Sequence, residues 1–218
     1  MNEAALRDWL ARATGDAALS ITALKRLSGG AIQQNYALDV TLRGAPQHWV
    51  LRTDAPATLA VSHSRAAEFA LLRAAQEAGV TVPSPLFLCE DAGIIGRPFF
   101  VMQRVEGIAA AHRVVKMFPT TGDAMAQALG GELAKLHRIR PSRADLAFLG
   151  APPADAALAG IAAMRARLDA AGTPRPVLEW GLRALERHAP APLPAVLCHN
   201  DFRTGNIMLC LLYTSRRG

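Results

Sequence analysis

Cysteine is scarce in this chain. Cys89, Cys198 and Cys210 are the only three in 218 residues. That excludes a disulfide framework, and their spacing offers no C-x-x-C metal or redox site. A reducing, cytoplasmic setting is the expectation. Aromatic residues make up only 6%, and no basic stripe interleaves with them. Although the net charge is +6, nucleic acid is therefore not an expected partner. A mild basic excess suits a phosphate-bearing ligand equally well. No apolar run approaches the roughly 18 residues of a membrane span. Met1-Asn2-Glu3-Ala4 lacks the basic and apolar regions of a signal peptide. No membrane partner is expected, no obligate protein partner is evident, and no internal repeat occurs. What remains is a composition of 51% hydrophobic and 19% charged residues, that of a globular chain of one or two domains.

The stretch around which the rest is organised lies near the end, from Val196 to Leu209. Two short apolar runs flank a polar loop holding His199, Asp201, Arg203 and Asn206. A strand-loop-strand reading gathers these residues at one exposed tip. The order His199-x-Asp201, then Asn206, matches the H-x-D-x-x-x-x-N spacing of a phosphoryl-transfer loop. With that spacing Asp201 can orient a hydroxyl proton, Asn206 can offer a neutral oxygen to Mg²⁺, and Arg203 adds positive charge nearby. A plain polar turn remains the alternative, since Asn, Asp, Thr and Gly all favour turns.

Upstream, residues 3–13 read as an amphipathic helix with Leu6, Trp9 and Leu10 on one face. Ile21 to Leu27 and Tyr36 to Leu42 read as strands around Ser28-Gly29-Gly30-Ala31. Those glycines fit either a hairpin turn or a loop whose backbone N–H groups approach phosphates. His48 to Thr53 is a third strand. Its Arg52 shares a face with Val50, so it is either an edge-strand charge that snorkels or a cation with an inward partner. The clearest helix spans about Ser62 to Ala78, with Glu68, Leu71, Leu72 and Ala75 on one face. A carboxylate in an apolar stripe needs a partner. Arg52 is the expected one, within about 4 Å; a solvated Glu68 at the stripe's edge is the alternative. Leu86 to Cys89 and Phe99 to Gln103 read as two more strands. Beyond them the pattern is helical: Asp123 to His137, with Met125, Leu129, Leu133 and Leu136 on one face, then Ala154 to Ala171 and Val177 to His188. Pro190, Pro192 and Pro194 make a stiff lead into the closing loop.

In this order the pieces resemble the aminoglycoside phosphotransferase-like kinases, and are similar to the kinase-like domains fused to some acyl-CoA dehydrogenases. The resemblance rests on Leu27-Ser28-Gly29-Gly30, Trp49-Val50-Leu51-Arg52, the Glu68 helix and Val80-Thr81-Val82-Pro83. It continues through Leu88-Cys89-Glu90-Asp91, Gly96 to Met102, Val105-Glu106-Gly107, Leu133 to His137 and Cys198 to Asn206, covering about residues 21–209. It implies an α+β, two-lobed protein-kinase-like fold: an antiparallel N-lobe sheet with one helix over residues 1–103, and a mostly helical C-lobe over 104–209. The implied activity is ATP-dependent transfer of the γ-phosphoryl group to a hydroxyl of a small molecule, with ATP and Mg²⁺. It makes Gly29 and Gly30 the phosphate-covering loop, Arg52 the phosphate-binding cation and Glu68 the carboxylate that positions it. Gln103 to Val105 becomes the adenine-facing hinge. Asp201 becomes the catalytic base, with Arg203 and His199 beside it, and Asn206 a Mg²⁺ ligand.

Three departures from the family pattern stand out. Arg52 replaces the usual Lys, as in this branch; its guanidinium can hold phosphate oxygens bidentately. Asn200 replaces a Gly and is tolerable because Asn visits the left-handed region readily. No Asp follows Asp201, where the family has a second metal-binding one. Residues 210–218 are expected to be a non-native tail, since Cys210 to Ser215 resembles a translated sequencing adapter, and the chain a C-terminally truncated fragment. Two other functions stay open. A non-catalytic nucleotide-binding fragment is one. A metal-dependent phosphoesterase using His199 and Asp201 is the other, although His48, His63, His112, His137 and His188 show no ligand spacing.

Overall fold

A computed structural model describes residues 2–27, 33–55, 63–108, 113–114, 116 and 122–209. The glycine pair Gly29-Gly30 and the tail 210–218 lie outside these residues.

The first helix, α1 (Glu3–Thr14), is set by its ends. Asn2 Oδ1 accepts the Ala5 N–H at 3.2 Å, and Gly15 closes the helix at φ 68°. Its apolar face delivers Leu6 and Leu10, both fully buried, each worth about 1.5–3 kcal/mol of burial. They cover one face of a five-stranded antiparallel sheet in the order β1-β2-β3-β5-β4. The strands are β1 (Ser20–Arg26), β2 (Gln33–Leu42), β3 (Ala45–Asp54), β4 (Pro85–Cys89) and β5 (Phe99–Gln103). The core beneath α1 gathers Leu38, Val40, Trp49, Leu51, Phe99 and Val101, with Trp9 edge-on to Phe99 at 4.9 Å.

Strand periodicity sends the alternate residues to the other face. There Arg52 of β3 and Phe100 of β5 meet α2 (Arg65–Glu77), and Phe69 packs edge-on to Phe100 at 5.9 Å. Ser64 Oγ caps α2 by accepting the Ala67 N–H at 3.1 Å. The small residues Ala67, Ala74 and Ala75 are its buried apolar contacts, whereas Leu71 and Leu72 of the expected stripe are only half-buried. The edge-strand reading of Arg52 is corrected: β3 is the middle strand of the sheet, so that side chain cannot escape sideways into solvent.

The β2–β3 hairpin turns on Arg43 and Gly44, at φ 49° and 78°. Both values suit the two-residue turn that matches strand twist. The turn fixes a register in which Asn35 faces Arg52 and Asp39 faces His48.

Beyond β5 the regular elements among the described residues are helical. They are α3 (Gly122–Leu136), a 3₁₀ turn at Ala144–Leu149, α4 (Ala156–Ala170), α5 (Pro176–Arg187) and a 3₁₀ turn at Thr204–Asn206. The chain divides into two compact units, Met1–Leu136 with His199–Gly218, and His137–Cys198. In the first, Glu132 of α3 accepts the Thr81 N–H at 2.7 Å. In the second, Arg165 of α4 reaches Glu179 at 3.2 Å and Glu186 at 3.1 Å on α5. No described helix is long and apolar enough to cross a membrane.

The expected strands around the closing loop do not form. Val196 to Cys198 is irregular, because its backbone meets another loop rather than a sheet edge: the Leu197 N–H bonds to Ile139 O at 3.3 Å. On the far side only an isolated bridge joins Leu209 to Ile108.

Candidate functional site

The expected pair between β3 and α2 is present. Arg52 Nη1 donates to Glu68 Oε1, and the other carboxylate oxygen accepts from Arg65 Nη1. One carboxylate thus bridges two guanidinium groups. Arg65 itself is almost completely buried, with a side chain 1% exposed. Its Nη2 donates to His63 O at 3.0 Å. Its Nε lies 3.0 Å from Asp54 Oδ1, close enough for an ion pair but not aligned as a hydrogen bond. Asn35 Oδ1 accepts the Arg52 Nε–H at 2.9 Å. The result is a network of two cations and two anions, balanced in formal charge, as buried ions require.

Arg65, Asp54 and Asn35 were not singled out from the sequence. Arg65 and Glu68 sit three residues apart on one helix, a spacing that allows side-chain contact. That spacing was the available signal for Arg65.

At the end of β5 the Gln103 N–H donates to Ser84 O at 2.8 Å, and the Arg104 N–H to His48 O at 3.0 Å. Val105 is exposed, and no described residue accepts its N–H. Arg104 Nη1 pairs with Asp39 Oδ1 at 2.8 Å, and His48 Nδ1 with the same oxygen at 2.7 Å. The hydrogen bond from His48 is the main influence holding the Asp39 carboxyl below its usual range. Burial opposes it and Arg104 reinforces it.

The closing loop gathers its polar residues without the flanking strands. Asn200 takes φ 63°, so the residue that departs from Gly does adopt the left-handed conformation. Asp201 is the centre of the loop. Its carboxylate accepts Arg203 Nε at 3.1 Å and Asn206 Nδ2 at 2.6 Å. Asn206 Nδ2 also reaches Asp201 O at 3.0 Å. The Asp201 N–H donates to His199 Nδ1 at 3.3 Å, and the His199 ring meets Phe202 edge-on at 5.5 Å. His199 therefore braces the loop, while Asp201 and Arg203 face solvent, their side chains 61% and 66% exposed.

Gly107 helps anchor the loop's far end. A Cβ there would stand 2.8 Å from Leu209 O, so only glycine permits the paired bonds between Ile108 and Leu209, at 2.9 and 3.0 Å. Arg52 with Glu68, and Asp201 with Arg203, Asn206 and His199, are thus two assembled groups. Among the described residues no hydrogen bond or ion pair links one group to the other. No group of three or more His, Cys, Asp or Glu side chains among those residues could hold a metal ion, so they supply no ligand set for the phosphoesterase alternative.

A five-stranded antiparallel sheet with α2 pinned to its middle strand, followed by helices, is the architecture of a kinase-like fold. A solved structure of a Ralstonia eutropha protein assigned as an aminoglycoside phosphotransferase superposes with a TM-score of 0.74 at 20% identity, over 94% of this chain and 60% of that one. The model of the phosphotransferase enzyme family matches residues 23–215. The chain belongs to that family. Among curated relatives, acyl-CoA dehydrogenase family member 10 of Mus musculus is 31% identical over 170 residues, 77% of this chain and 16% of that protein. Family member 11 of Rattus norvegicus is 39% identical over 67 residues, 30% of this chain and 9% of that protein. The chain therefore matches only a small part of each curated relative's length.

Proposed function

We propose that this chain forms the nucleotide and catalytic-loop portion of an ATP-dependent kinase that phosphorylates a hydroxyl group of a small molecule. The observation that carries the reading is the Arg52–Glu68 pair between the middle strand and α2. It holds a cation that phosphate oxygens can share, in the arrangement that phosphoryl-transfer sites of this type require. Arg52 binds the nucleotide phosphates, and Glu68 keeps its guanidinium from swinging to solvent. Gly29 and Gly30 cover the phosphates. The Val105 N–H, with the Gln103 segment, meets the adenine edge.

At the other group, Asp201 accepts the proton of the acceptor hydroxyl as that oxygen attacks the γ-phosphorus and the bond from that phosphorus to the ADP oxygen breaks, and Arg203 offsets negative charge at the transferring group. His199 holds the backbone of the loop in place. The Asn206 amide oxygen is a hard oxygen donor, a chemistry that fits Mg²⁺. A Mg²⁺ ion held there would supply charge neutralisation of the phosphate oxygens.

The test is calorimetric titration with Mg-ATP, followed by a γ-phosphoryl transfer assay over a panel of sugar, amino-alcohol and other hydroxyl acceptors. Saturable ATP binding and transfer to at least one acceptor are expected. Absence of ATP binding would sink the proposal, and binding without any turnover would make the chain a nucleotide-binding module instead.

A further inference from the structure

We infer that Asn35 is a positioning residue for Arg52, and that it is what suits this site to arginine rather than lysine. The inference rests on the proposed role of Arg52 at the nucleotide phosphates. Asn35 and Arg52 stand directly opposite each other in the β2–β3 ladder, so their side chains rise side by side on the α2 face of the sheet. Asn35 Oδ1 takes the Nε–H at 2.9 Å, while Glu68 Oε1 takes Nη1. A guanidinium is planar, so acceptors on two of its nitrogens fix the orientation of that plane as well as the position of the charge. Among the described residues, Nη2 is the nitrogen left without a partner. Its two N–H groups thereby acquire a defined direction.

Glu68 alone would not achieve this, because a single contact leaves the plane free to rotate about it. A lysine at position 52 ends in one ammonium with no plane to orient, so the Asn35 oxygen has nothing comparable to control. Asn35 is also half-buried, which limits competition from water for the Nε–H. The geometry thus gives the Arg-for-Lys departure a partner on the neighbouring strand. Arg65 acts one step further away, by holding the second oxygen of Glu68.

The experiment is a double-mutant cycle on the whole chain, measuring Mg-ATP and adenosine affinities for wild type, Asn35→Ala, Arg52→Lys and the double variant. A hydrogen bond to a charged group implies that Asn35→Ala weakens ATP binding about 10- to 150-fold. Adenosine, which lacks phosphates, should bind unchanged. In the Arg52→Lys background the same substitution should change ATP affinity less than about twofold. An equal loss in both backgrounds, or an equal loss for ATP and adenosine, would overturn the inference and leave Asn35 as ordinary packing. Should Asn35→Ala fail to fold, Asn35→Leu, closer in volume and at ease in a strand, is carried through the same cycle. A wild-type chain that binds neither ligand would defeat the nucleotide reading, and this inference with it. Wild-type ATP binding that Asn35→Ala leaves untouched would defeat this inference alone.

Discussion

Replacing Glu68 with Gln removes the carboxylate that Arg52 and Arg65 share, and the structure sets the size of the effect. Losing one partner of a buried ion pair costs about 3–5 kcal/mol, mostly because the other charge is stranded. Here the two halves differ. Arg65 has a side chain only 1% exposed, so its loss is felt nearly in full. Arg52 is 25% exposed and can recover part of its hydration. Asp54 stays within 3.0 Å of Arg65 Nε and compensates part of the remaining charge. A net destabilisation of about 2–3 kcal/mol follows. For a chain of 218 residues, that lowers the melting temperature by about 4–12 °C. The assay is thermal unfolding by circular dichroism, with Glu90→Gln as the control. Glu90 is exposed, and a surface change of that kind stays within about 0.5 kcal/mol. If Glu68→Gln melts no lower than Glu90→Gln, the buried network does not hold α2 to the sheet and the energetic argument is wrong.

Three further outcomes are expected. Asp201→Asn should reduce turnover about 10²–10⁴-fold in the active enzyme with little change in ATP affinity, the usual range for a general base; near-normal turnover would remove Asp201 from the chemistry. The Asp39 carboxyl titrates lower in the fold than its ordinary 3.8, so its stabilisation is present above that value and is lost as pH falls through the folded value. The melting-temperature gap between wild type and Asp39→Asn should therefore close below pH 3.8, and a gap independent of pH would contradict the His48–Asp39–Arg104 account. Cys89 is buried, and burial pushes its thiol up, whereas Cys198 is exposed. Maleimide labelling followed by peptide mass analysis should find Cys198 modified in the native protein and Cys89 only after unfolding; equal labelling would disprove the packing of β4.

Some of the site was legible in the sequence because local patterns carried it. A single carboxylate in the apolar stripe of a helix, beside a strand with one inward arginine, pointed to the Arg52–Glu68 pair without any knowledge of the fold. The H-x-D-x-x-x-x-N spacing likewise brought Asp201, Arg203 and Asn206 together. What escaped was non-local. Arg65 looks like an exposed residue of a first helical turn until Asp54 closes on it from the end of β3. Asn35 needed the register of the β2–β3 ladder, which was within reach: counting outwards from a two-residue turn at Arg43-Gly44 sets Asn35 opposite Arg52. The strands around the closing loop failed for the opposite reason. Their short apolar runs had the right composition, but among the described residues only Ile108 offers Leu209 a pairing edge, and composition cannot supply a partner.

The two assembled groups differ in a way that suits their proposed tasks. Around Arg52 the charges are half-buried, and buried at Arg65, and are cross-linked between elements that are themselves packed, so the network keeps its geometry before any nucleotide arrives. Around Asp201 the pairs are exposed. An ion pair such as Arg203–Asp201, at 3.1 Å with both side chains more than half exposed, contributes only about 0–1 kcal/mol. That weakness is an advantage on the proposed reading. Asp201 must give up a contact to receive the acceptor hydroxyl, and Asn206 must present its oxygen to a cation, so partners exchanged at little cost serve better than fixed ones. A loop held as tightly as the Arg52 network would have to break strong contacts in each catalytic cycle. On that same reading the firm group around Arg52 would bind what is common to every turnover, the nucleotide phosphates, and the yielding group around Asp201 would meet the groups that move.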